Sequence, residues 1–78
     1  MKVTKAMKQC YVDAYDFIME AADDSAISFN DFSAIGNRLC GMYDIMQAIT
    51  LPTGDDIPED IEEMQNTYEE ALLKKMEG

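Results

Sequence analysis

The side chains of this chain that could do chemistry are two cysteines, three serines and sixteen carboxylates, and no histidine accompanies them. The commonest general base and the commonest zinc ligand are therefore both missing. Cys10 and Cys40 stand thirty positions apart, a spacing that fits neither a zinc site nor a thioredoxin-like motif. A cysteine nucleophile would need an activating base, and the chain has no imidazole to supply one. None of Ser25, Ser28 and Ser33 sits in a Gly-x-Ser-x-Gly elbow. Gly36, Gly41, Gly54 and Gly78 are too scattered to form a phosphate-cradling loop. The composition points away from an enzyme: no catalytic residue, no metal site and no cofactor are expected.

The carboxylates remain. Sixteen acidic residues against six basic ones give a formal charge of −10. Between Lys8 and Lys74 the only base is Arg38, against fifteen acids. Toward the end of the chain Glu59, Glu62, Glu63, Glu69 and Glu70 fall within about 120° of one another on a helical wheel, with Asp60 at the flank. From Glu59 to Glu70 a helix rises about 16 Å, so the six carboxylates come at roughly one per 2.7 Å. Duplex DNA carries one charge per about 1.7 Å of axis, or about 3.4 Å per strand. Such a surface repels nucleic acid and suits a protein partner with a basic surface.

The elements that must position these residues are helices. Val3, Met7, Cys10, Ala14, Phe17 and Ala21 recur at spacings of 4, 3, 4, 3 and 4, with Tyr11 and Ile18 beside them. This predicts a helix over 3–22, ending at the turn-forming Asp23-Asp24-Ser25. Ser28 is suited to cap a second helix over 29–50, with Asp31 at its third position. Its expected core stripe is Phe32, Ile35, Leu39, Met42, Met46 and Ile49. Gly36 and Gly41 interrupt this helix and leave open whether it breaks there. Residues 51–56 read as a linker around Pro52 and Gly54. A third helix follows over 57–77, with Asp56 as its expected cap, Pro58 in its first turn, and Ile57, Ile61, Met64, Tyr68 and Ala71 or Leu72 as its stripe. Lys74 and Lys75 stand at the negative end of its dipole.

Three such helices and two short connections predict an all-α fold, a small three-helix bundle running up-down-up in a single domain over 1–78. That topology brings Lys2, Lys5 and Lys8 to the same end as residues 55–63. At this size a dimer is allowed. No stretch is long and apolar enough for a membrane span, and Asp13 and Asp16 interrupt what would be a signal peptide's apolar run, so a cytoplasmic protein with reduced thiols is expected. On the first helix Val12, Tyr15 and Met19 fall away from the expected core stripe. They form a candidate apolar ridge, an alternative partner or dimer interface.

Two stretches bear a resemblance to known families. The segment Asp56-Ile57-Pro58-Glu59-Asp60 resembles the opening of the last helix of acyl carrier proteins, but the Asp-Ser-Leu motif that would carry a phosphopantetheine is absent. The connection between the first two helices resembles a decayed EF-hand, with Glu20, Asp24, Ile27 and Asp31 in register. Ala22 stands at a ligand position and Ser25 at that of the loop glycine, so calcium is not expected to bind. The functional expectation is a non-enzymatic acidic helical protein that regulates or inhibits a larger partner, its acidic face mimicking nucleic acid at a basic groove. Small inhibitors of phages and mobile elements, directed at nucleases or CRISPR effectors, have this character. The alternatives are a structural or assembly subunit of a helical oligomer and, more remotely, an EF-hand-like module.

Overall fold

Local capping chemistry sets where the helices begin. The Thr4 hydroxyl accepts a hydrogen bond from the Met7 N–H at 3.1 Å and opens α1 (Lys5–Glu20). The Ser28 hydroxyl does the same for Asp31, at 3.1 Å, and opens α2 (Phe29–Thr50). A single 3₁₀ turn over Leu51–Thr53 follows, and Gly54 closes it at a φ of 71°, in the left-handed region that glycine enters at little cost. α3 (Glu59–Glu77) begins one residue after Pro58, which occupies the N-cap in an extended conformation. The cap expected at Asp56 is thus displaced, because helical dihedrals start only beyond the proline. The Pro58 carbonyl accepts from Ile61 and Glu62 at 3.0 and 3.2 Å, while Glu59, Asp60 and Glu62 place negative charge at the positive end of the dipole.

The computed structural model describes residues 1–78 and contains three helices and no strand, in a small three-helix bundle. α1 and α3 run parallel: Lys8 Nζ meets an Asp60 carboxylate oxygen at 2.7 Å near their N-terminal ends. At the other end Lys75 Nζ donates to the carbonyls of Asp24 and Ile27 at 3.0 and 2.8 Å. The same ammonium lies 5.5 Å from the centre of the Phe32 ring. Lys75 therefore satisfies the α1–α2 connection rather than the end of its own helix. α2 runs unbroken through both glycines. At Gly36 the reason for glycine is a neighbour, the Tyr68 ring, which occupies the space of a β-carbon.

The core comprises Tyr11, Ile18, Phe32, Leu39, Met46, Ile61 and Tyr68. Phe32 and Tyr68 pack with ring centres 5.3 Å apart. One polar chain crosses this core. The Tyr11 hydroxyl donates to Gln65 Oε1 at 2.7 Å, and Gln65 Nε2 reaches Cys40 Sγ at 3.5 Å, so α1, α3 and α2 are tied at one level.

Two of the expected stripes are rotated. On α1 the buried positions are Tyr11 and Ile18, whereas Cys10 and Phe17 are exposed, the latter 71% so. α1 sits between two helices, and its buried arc runs from Met7 and Ala14, past Tyr11, to Val12 and Met19. Tyr11 can lie at its centre because Gln65 receives its hydroxyl. On α2 the buried line is Phe32, Gly36, Leu39, Met46 and Thr50, and Ile35 is left exposed. The expected α3 stripe holds, with Ile61 and Tyr68 buried and Ile57, Met64, Ala71 and Leu72 packed against them.

Candidate functional site

α3 presents Glu59, Glu62, Glu63, Glu69 and Glu70 to solvent, because the positions between them (Ile61, Gln65 and Tyr68) are held in the core. Asp60 is set apart from this group. Its carboxylate is bonded to Lys8, and that bond, ahead of every other influence, holds it below the usual aspartate range. The remaining five glutamates have no basic side chain within ion-pairing distance, since the only ion pairs are Lys8–Asp60 and the Met1 ammonium with Asp55 at 3.5 Å. Thr53 donates to Asp55 at 2.6 Å and lowers that carboxyl as well. Five unpaired carboxylates over a rise of about 16 Å come at roughly one per 3.3 Å, near the spacing of phosphates along one DNA strand. The field of this face is felt across the α2–α3 seam. Burial, then Glu62 and Glu69, push the Tyr43 phenol above its ordinary value of 10.0.

The apolar ridge expected on α1 does not stand clear of the bundle. Val12, Tyr15 and Met19 are half-buried and pack against the core, because α3 lies beside α1 on that flank. The exposed apolar surface is on the other flank, along the groove between α1 and α2. Cys10, Phe17, Ile35 and Ile45 are exposed there, Ile45 to 57%. The groove holds two hollows. The wider, about 550 Å³, is walled by Phe17 and Ile35, with Asp13 and Arg38 at its edges. The narrower, about 280 Å³, is lined entirely by Ala6, Met7, Cys10, Met42, Ile45 and Met46. The signal for this face was in the sequence: α2 carries only Asp31, Arg38 and Asp44 as charges in 22 residues, too few to cover every side not facing the core.

The α1–α2 connection is occupied by its own chain. Asp24 Oδ1 accepts from the Ala26 N–H at 2.9 Å, and the Lys75 ammonium sits on the carbonyls of Asp24 and Ile27. A second cation would meet that ammonium. No three His, Cys, Asp or Glu side chains converge anywhere in the molecule. No helix is long and apolar enough to cross a membrane. The surface thus offers charge on one side and apolar contact on another. No family model, no curated protein and no solved structure matches the chain.

Proposed function

We propose that this protein is a non-enzymatic binding protein that regulates or inhibits a larger protein by docking the acidic face of α3 on a basic groove, in the place of a nucleic acid. The observation that carries the reading is the set of five glutamates on α3 that have no basic partner of their own. Carboxylates left unpaired along one face repel one another, which disfavours the isolated helix by a few tenths of a kcal/mol per pair. A partner bearing Lys and Arg relieves that repulsion and is steered toward the face over distance. Nucleic acid itself is repelled, so the partner is a protein. The character matches the small acidic inhibitors of phages and mobile elements, with nucleases and CRISPR effectors as the type of target.

The test sets the wild type beside the variant Glu62→Gln, Glu63→Gln, Glu69→Gln, Glu70→Gln, each immobilised and exposed to lysate of the native host. The expected result is a basic protein retained by the wild type and released by about 0.3–0.5 M salt, where exposed charge contacts are screened. The same protein should be displaced by short duplex DNA or RNA and lost from the glutamine variant. A partner held equally by both forms, or indifferent to nucleic acid, would refute mimicry by this face.

The exposed groove between α1 and α2 favours a second reading, an assembly subunit whose helices complete a larger helical oligomer. The two readings use opposite surfaces.

A further inference from the structure

We draw no further inference here: the strongest candidate, the apolar groove between α1 and α2 with Phe17, Ile35 and Ile45 exposed along it, carries none because nothing in the structure shows what covers it.

Discussion

Replacing Gly36 and Gly41 with alanine, one at a time, puts the packing of α2 to a direct test because the same chemical change meets two opposite surroundings. In a helix interior alanine is favoured over glycine by about 1 kcal/mol, and both positions gain this term. At Gly41 a β-carbon would find no atom within 4 Å, so the gain stands nearly whole. At Gly36 the β-carbon would overlap Oη, Cζ and Cε1 of Tyr68. Carbon contacts are comfortable at about 3.5–4.0 Å, so α2 and α3 must part by more than an ångström or Tyr68 must leave its place. Tyr68 is 1% exposed and packed on Phe32, so its ring has no free direction in which to move. Overpacking of this kind costs about 1–3 kcal/mol, occasionally more, and outweighs the propensity gain.

Thermal unfolding followed by circular dichroism, at matched protein concentration, reads the two signs. In a chain of this size 1 kcal/mol moves Tm by about 4–8 °C. Gly41→Ala should therefore melt up to about 8 °C above the wild type and Gly36→Ala clearly below it. Adding Tyr68→Phe to Gly36→Ala removes the nearest atom but not the ring carbons behind it. The pair should consequently be non-additive, with part of the loss recovered. A Gly36→Ala protein as stable as the wild type would refute the placement of Tyr68 against α2, and with it the register of α3.

Three further outcomes are expected. Tyr11→Phe should cost about 1–2 kcal/mol at neutral pH, since Gln65 Oε1 is left without its donor in a buried seam. Burial chiefly raises the titration of Tyr11, and likewise Tyr68, above the ordinary 10.0. Their protonated forms are the folded ones, so stability should be full below pH 10 and fall as pH rises beyond it, less steeply in Tyr11→Phe. Lys75→Met keeps an apolar stem over Phe32 but loses both carbonyl contacts. It should cost about 1 kcal/mol and speed amide exchange in the connection between α1 and α2, read by hydrogen-exchange mass spectrometry. Millimolar calcium should move Tm no further than magnesium does, because Ala22 offers no side-chain oxygen and Lys75 sits on the loop. A calcium-specific, saturable rise abolished by Asp31→Ala would contradict that reading.

Helix count, topology and the Ser28 cap were legible because each rests on local chemistry: periodicity, a hydroxyl at the right position, a proline–glycine break. The inward face was legible only where charge removes the alternatives. On α3 glutamates and lysines fill eight of the sixteen positions outside Ile61, Met64 and Tyr68, and Asp60, Asn66 and Thr67 add polar ones, so the side opposite the stripe is marked by charge. α1 and α2 lack that constraint. α1 has Cys10 and Phe17 on one side of Tyr11 and Ile18 and Val12 and Met19 on the other, so periodicity alone allows several rotations. Contact with α3 chooses among them. Because it does, the sequence pattern took Cys10 and Phe17 for core and Val12 and Met19 for surface, and the structure reverses both. The exposure of the five glutamates could be read from spacing. The sparse charge of α2 signals an uncovered apolar side, but spacing could not place it in the groove between α1 and α2, which exists only once those rotations are fixed.

What fixes them is directional contact. Apolar burial supplies most of the driving force, but it is nearly indifferent to how far one helix slides along another. Three polar ties mark three heights of this bundle: Lys8 with Asp60 at one end, Tyr11 with Gln65 and Cys40 in the middle, and Lys75 with the α1–α2 connection at the other. Sliding α3 by one helical turn, about 5.4 Å, would break all three at once and leave Tyr11 and Gln65 buried without partners. The Tyr11–Gln65 bond is the buried one, so the middle tie contributes most to this discrimination; the Lys8–Asp60 pair is exposed and weak singly, and the Lys75 bonds are exposed or part-buried. The same register seats Tyr68 on Gly36, turns the glutamates of α3 outward and leaves the opposite groove uncovered. The two candidate binding faces are thus consequences of one alignment, and a substitution that shifts α3 along α1 would degrade both together.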